Sequence, residues 1–341
     1  MAERIDDLSA KRPTIYDIAR VVGVSHQTVA RVVKGHPNVG SDIRQRVEAA
    51  IKELGYRPNL TARSLATNRP HRLGALVYEL LASGPSKIME GASVRAREAG
   101  YLLDIVSLDP EDDHGISAAI HLMTGSSLAG IFVFTPTDRV FDAIKSASFD
   151  VPVVLESEAA PGVGDEALLG ESGTGMIVDH LADLGHRRFF HISGPDGWLA
   201  ARGRARAYQR AIDRRGLQSL GTIAGDWSAK SGYDAALRMP LDVGITALVA
   251  ANDQTALGAM AALEQRGVDV PAQMSVVGFD DTPESSFFRP ALTTVRFEFA
   301  QQGRMAIDQL IATIDGTEPQ NSVAMPPTLI VRASSAPPPP D

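Results

Sequence analysis

The residues whose types and spacing most clearly suggest chemistry are His26, Gln27 and Arg31, in the stretch TIYDIARVVGVSHQTVAR from Thr14 to Arg31. Helical spacing turns Val29, Val32 and Val33 to one side and leaves His26, Gln27, Ala30 and Arg31 on the other. An arginine can bridge the O6 and N7 acceptors of guanine. A glutamine can pair with adenine or accept from cytosine. A helix with such an open face suits the major groove of DNA. An ordinary helical hairpin with a solvated polar face has the same spacing.

That helix needs a partner to hold it. Ile15, Ile18, Ala19 and Val22 predict a preceding helix with one apolar face, capped by Thr14 and ended by Gly23. Ser25 caps the second helix. A breaker-rich loop, Lys34 to Gly40, leads to Ser41, which caps a third helix predicted over Asp42 to Leu54, with Ile43, Val47, Ala50, Ile51 and Leu54 as its stripe and Gly55 as its stop. Three helices of this size bury only a small core.

The charge is divided along the chain. Residues 1–72 hold 13 Lys and Arg against 7 Asp and Glu, whereas the remainder holds 20 against 34, within an overall net charge of −8. A basic front on an acidic body predicts nucleic acid at one end only, because phosphate binding follows local Lys and Arg. The 341 residues suffice for two or three domains. There is no cysteine, which excludes disulfides and thiol chemistry. The opening MAERIDDLSAKR has no apolar core of a secretory signal, and no apolar run reaches membrane-spanning length, so the expected location is cytoplasmic with no membrane partner.

After the basic front, YRPNLTARSLATNRPHR could make two helical turns over Leu60 to Ala66. That is too short to be stable alone, so it folds only when DNA or a partner copy holds it; a flexible linker fits the same letters. From Leu73 the pattern alternates. Strands are predicted at 73–77, 102–107, 129–134, 151–155, 188–192, 247–250, 275–279, 292–295 and 328–331, with helices between most of them, including one from Gly173 to Leu184, one at 200–215, one at 228–239 and one at 298–313. Such alternation predicts parallel sheets covered by helices on both faces. A break at Ser157–Glu171 separates two similar lobes, and two open α/β lobes form a cleft at the carboxyl ends of their strands. The proline-rich ending from Ala333 is expected to be disordered. Gly173-Thr-Gly175 lacks a following lysine and reads as a helix cap rather than a phosphate loop. His186 and His191 lack metal-ligand spacing and read as loop and strand-end residues. No Ser/His/Asp set has motif context, and no acid/base pair favours an enzyme. A sugar-uptake protein would need a signal or anchor and no basic front.

The segments TIYDIARVVGVSHQTVARVV, RVEAAIKELGYRPN, ARSLA, GDWSAKSGY, ANDQTALGAM and SVVGFDDTPESSFFRPALTTV stand in one order from about residue 13 to 332. With them the chain resembles the LacI/GalR family of sugar-responsive transcription repressors. The resemblance implies a helix-turn-helix headpiece (12–58), a hinge helix and linker (59–70), and a two-lobed core like periplasmic sugar-binding proteins (71–333). The N-lobe would take about 71–166 and 297–322, the C-lobe 167–296 and 323–333, and 334–341 would be tail. It implies a homodimer on double-stranded operator DNA, a small sugar effector and no cofactor or metal. The ending APPPPD lacks the leucine heptads that make tetramers in this family.

Residue by residue, the resemblance makes His26, Gln27 and Arg31 base-reading, with His26 departing from a tyrosine. Thr14, Tyr16, Ser25, Thr28 and Asn38 would touch backbone phosphates, setting register without reading sequence. In the hinge, Asn59, Ala62 and Leu65 match, Leu65 being the wedge that opens a base step in the minor groove. In the cleft, Arg202, within WLAARGRARAY, would take the ring hydroxyls; Asn252 and Asp280 would hold others, and Phe299 and Trp227 would offer apolar surface. Asp253 and Asp281 read as caps or supporting groups. Trp198 reads as a stacking platform, with a tryptophan packed on its own lobe as the alternative. Tyr78 and Glu79 replace small hydroxylated residues, which leaves the sugar open; a β-linked disaccharide or glycoside is the expectation. A family member working as an activator, or with a non-sugar co-repressor, is the alternative.

Overall fold

A computed structural model describes residues 13–33, 38–56, 70–156, 167–318 and 325–340. Asn59, Ala62 and Leu65, most of the 34–40 loop and the first part of the expected break between the lobes lie outside the described residues. The chain divides into two units, Met1–His71 and Arg72–Asp341.

The first unit holds α1 (Ile15–Val22), α2 (His26–Val33) and α3 (Ser41–Glu53). Asp17 accepts from both the backbone N–H of Thr14 (2.9 Å) and its hydroxyl (2.7 Å), so the cap works through the acid as well as the threonine. Gly23 closes α1 at φ 72°, where a side chain would be strained. Ser25 accepts from the Thr28 N–H at 3.1 Å and starts α2. Ile18, Ala19, Val22, Val29, Val32, Val47 and Ala50 form the core. Arg46 reaches from α3 to the Val22 carbonyl at 2.6 Å, closing the end of α1.

The second unit repeats one plan. Strands β1 (Arg72–Val77), β2 (Leu102–Ser107), β3 (Gly130–Phe134) and β4 (Val153–Glu156) make a parallel sheet in the order β2-β1-β3-β4. Strands β5 (Arg188–Ser193), β6 (Gln218–Ala224), β7 (Ala247–Ala250) and β8 (Ser275–Val277) make another in the order β6-β5-β7-β8. Central strands such as β3 are buried throughout, as strands covered on both faces must be. Strand β6 was not expected: it is a half-exposed edge whose polar residues give no apolar run.

Each lobe brings two helices together through glycine. A Cβ on Gly91 or Gly303 would overlap a backbone carbonyl of the facing helix, at 1.8 and 1.9 Å, so helix Ser83–Glu98 packs backbone to backbone on Phe299–Asp315. Gly232 and Gly258 do the same for helices Ala229–Arg238 and Asp253–Gln265, at 2.1 and 1.7 Å. The helix that begins at Ala167 runs through Gly173 to Asp183, so the expected cap at Gly173 is corrected: the glycine is internal, and its missing side chain leaves room for the Phe279 ring.

The ending also requires correction. β10 (Thr328–Ile330) pairs antiparallel with β9 (Thr294–Arg296), and the chain then straps onto the second lobe rather than being disordered. Ser334 is fully buried: its carbonyl accepts from the Val276 N–H of β8 (2.9 Å) and its hydroxyl donates to the Val276 carbonyl (2.6 Å). His186 lies under the strap, with its ring at 2.9 Å from the Thr246 hydroxyl and 2.8 Å from the Ala336 carbonyl. His191 sits inside β5 rather than at a strand end, stacked on Tyr208 at 4.5 Å. Burial lowers the pKa of His186 and pushes that of His191 down to about 4.

Two expectations follow. Gly258→Ala should cost about 1–3 kcal/mol or more by overpacking, whereas Gly175→Ala, with nothing within 4 Å, should be neutral or stabilising. Calorimetric melting compares them; equal melting temperatures would contradict the packing. Because His186 and His191 bind protons more readily once unfolded, stability should be full above pH ~6.5 and fall as pH drops from ~6.5 toward ~4. Denaturant midpoints that stay flat over that window would contradict the assignment.

Candidate nucleic-acid interface and effector cavity

In the first unit, His26, Gln27 and Arg31 are all exposed, on the side of α2 away from Val29 and Val32. Tyr16, on α1, is largely exposed and lies against the His26 ring at 5.1 Å between centroids, so the two helices contribute to one surface. Ser25 and Thr28 share a hydroxyl–hydroxyl hydrogen bond of 2.9 Å at the start of α2, and Thr14 is half-buried at the start of α1. Asn38 is exposed beyond α2. These hydroxyls, amides and one guanidinium can meet base edges and phosphates. The hinge residues lie outside the described residues.

In the second unit, a cavity of about 610 Å³ opens where the strands of both sheets end. Tyr78 and Glu79 follow β1, Ser107 ends β2, Asp226 and Trp227 follow β6, Asn252 follows β7, and Asp280 follows β8. This is the crevice position that open parallel sheets provide. Its volume falls in the usual range for small-molecule sites.

The structure does not bring Arg202 to the cavity. Arg202 pairs with Asp138 of the first lobe at 2.7 Å in an exposed bridge, and Arg204 enters the cavity instead. Residues two apart on a helix point to nearly opposite sides, so only one can face inward. Arg204 is in phase with Tyr208, Ala211 and Ile212, the buried stripe of helix Leu199–Arg215, and that phase was the readable signal. Its guanidinium donates to the Ala251 carbonyl at 2.6 Å, lies 3.5 Å from the Asp280 carboxylate, and covers the Phe279 ring at 3.8 Å.

The other expected residues converge. Tyr78 stacks on Phe134 and meets Trp198 edge-on at 4.8 Å. Trp198 stands 6.1 Å from Trp227, and Phe299 closes another wall. Trp198 lines the cavity while packing across on the first lobe, where Leu199 N–H donates to the Pro136 carbonyl at 2.9 Å. Asn252 caps helix Asp253–Gln265 through Thr255 N–H at 2.8 Å and donates to the Trp227 carbonyl at 3.0 Å. The Trp227 indole N–H is buried with no hydrogen-bond partner, an orphan that a ligand oxygen would relieve.

Among the described residues other than glycine, positive φ occurs at Glu79, Trp227, Asp280 and Asp281. The first three line the cavity, and such strain persists only where its surroundings hold it. Asp253 provides part of that hold. It accepts from Thr282 N–H (2.8 Å), Ser285 hydroxyl (2.5 Å) and Thr294 hydroxyl (2.6 Å), and burial still raises its pKa. Asp281 is clamped by Arg332 (2.6 Å) and Arg296 (2.7 Å); burial opposes ionisation, but these arginines hold its pKa below the usual carboxylate value. Sequence reasoning also missed Asp226 and Gln254 on the cavity wall, although both lie in segments it had singled out. Among the described residues, no cluster of three His, Asp or Glu could hold a metal, and no helix is long and apolar enough to cross a membrane.

Two family models match the chain: bacterial regulatory proteins of the lacI family over residues 14–59, and a periplasmic binding protein-like domain over residues 178–335. The lactose operon repressor of Escherichia coli (strain K12) is 33% identical over 332 residues, covering 96% of this chain and 92% of its own. The ribose operon repressor of Escherichia coli (strain K12) is 32% identical over 333 residues, covering 94% of this chain and 99% of its own. A crystal structure of the lac repressor dimer bound to operator and the anti-inducer ONPF superposes with a TM-score of 0.83 at 32% identity, over 96% of this chain and all of that one. With a helix-turn-helix unit ahead of a two-lobed ligand-binding core, the chain belongs to the lacI family of bacterial regulatory proteins and is a DNA-binding transcriptional repressor.

Proposed function

We propose that this repressor acts in the cytoplasm as a homodimer on a pseudo-palindromic operator and leaves it when a sugar fills the core cavity. The observation that carries the sugar reading is the cavity lining: Arg204 and Asp280 offer planar donors and acceptors for hydroxyls beside the apolar faces of Tyr78, Trp198, Trp227 and Phe299. A cavity of about 610 Å³, walled by two tryptophans, favours a β-linked disaccharide or glycoside over a single small ring. In this reading His26, Gln27 and Arg31 read bases, while Thr14, Tyr16, Ser25, Thr28 and Asn38 set register on phosphates. The family resemblance extends this reading to Asn59, Ala62 and Leu65, outside the described residues, and assigns Leu65 the role of minor-groove wedge. The coupling is linkage: sugar shifts the equilibrium only by its difference in affinity between the DNA-bound and free states.

Screening sugars by thermal shift, then by operator retardation with each hit, tests this reading; a bound effector raises the melting temperature by mass action. Arg204→Lys, which keeps a cation beside Asp280 but loses the planar donors, should blunt release by sugar while operator binding persists, and Arg202→Ala should leave both intact. The opposite pattern would refute the assignment. Arg31→Ala should cost about 1–3 kcal/mol on operator and little on unrelated duplex. Leu65→Ala should likewise weaken operator binding more than non-specific binding, and equal losses would remove the wedge. Sedimentation should give the mass of two chains; four chains without DNA would overturn the dimer.

A further inference from the structure

The sugar reading leaves the charge of the effector open, and the cavity carries information on it. The charged groups on its wall are Glu79, Asp226, Asp280 and Arg204. Arg204 and Asp280 neutralise each other at 3.5 Å, both buried. Asp226 is engaged by the backbone N–H of Ser228 (3.0 Å) and its hydroxyl (2.5 Å), neither of which brings a cation. The Glu79 side chain makes no hydrogen bond or ion pair among the described residues; its carbonyl accepts from the Ala82 N–H at 2.8 Å, and its backbone sits at φ 39°, a conformation that costs energy at a residue with a side chain. Lys230, which pairs with Asp234, also lends positive field to Asp226, so Glu79 is the carboxylate of the cavity lining left without a counter-charge.

The Glu79 and Asp226 side chains both reach solvent, yet like charge gathers around Glu79. The pKa of Glu79 is raised, first by partial burial and then by the like charges of Asp226 and Asp109. A positive group entering the cavity would relieve this repulsion. The aromatic walls reinforce the same preference, because the faces of Tyr78, Trp198 and Trp227 attract cations as well as sugar rings. A phosphate or carboxylate on the ligand would meet repulsion from both acids.

Resting on the sugar-cavity reading above, we propose that Glu79, with Asp226, selects the effector by charge, so that this repressor responds to an amine-bearing sugar and rejects acidic ones. Glu79 offers a charge-assisted hydrogen bond to the ammonium, and Asp226 adds to the field that draws it in.

Calorimetric titration of the full-length protein with three β-linked probes tests this: cellobiose, its diamino counterpart β-1,4-linked diglucosamine with protonated amines, and cellobionate, which carries a carboxylate. Diglucosamine should bind about tenfold or more tighter than cellobiose, and cellobionate about tenfold weaker. Glu79→Gln should bring the ratio between diglucosamine and cellobiose toward one, and Glu79→Asp should retain much of it. The ratio is read within one preparation, so it needs no comparison of absolute affinities. In the unaltered protein, added salt should weaken diglucosamine binding and leave cellobiose nearly unaffected. Equal binding of the amino and neutral sugars, or a preference that survives Glu79→Gln, would overturn the proposal while leaving the sugar cavity standing. No binding by any of these probes, nor by any sugar in the wider screen, would overturn both.

Discussion

The buried pairing of Arg204 with Asp280 is the constraint around which the second unit is arranged. A charge left alone in that position would cost several kcal/mol, so each partner must be delivered with its supports. Helix phase delivers Arg204, and the Phe279 ring and Ala251 carbonyl hold its guanidinium flat. Asp280 sits at φ 108°, anchored by its N–H on the Val295 carbonyl at 2.8 Å and flanked by the Asp253 and Asp281 networks. The proline-rich strap belongs to this support: Arg332, which clamps Asp281, lies just before the buried Ser334. Stability and ligand recognition thus draw on the same few buried groups.

The two lobes solve one packing problem twice. Each has a parallel sheet in the same strand order and a pair of helices locked by facing glycines, so each lobe is stiff. Two such lobes with a cleft between them are the kind of element that the proposed effector-driven switch requires. The polar and aromatic groups on the cavity wall come from strand ends, turns and helix starts of both lobes, so a ligand touching them senses both.

Much of this was legible in the letters. The three headpiece helices announced themselves by caps, stripes and glycine stops, and the core by strand–helix alternation. Tyr78, Glu79, Trp198, Trp227, Asn252, Asp280 and Phe299 line one cavity. Where the reading failed, a competing physical rule was responsible. Arg202 and Arg204 both fit one motif, and only the helix phase separates them. Strand β6 is a half-exposed edge without an apolar run. The tail has the composition of disorder, yet Ser334 and Ala336 supply the hydrogen bonds that dock it, which composition does not register. Gly173 looked like a cap because its real purpose, space for Phe279, is a tertiary contact.

The central claim is reciprocal coupling between the headpiece and the cavity, and sugar affinity measured on the free protein and on the operator-bound protein tests it most directly. The account predicts weaker sugar binding on operator, by the same factor by which saturating sugar weakens operator binding. Identical sugar affinity in the two states would contradict it.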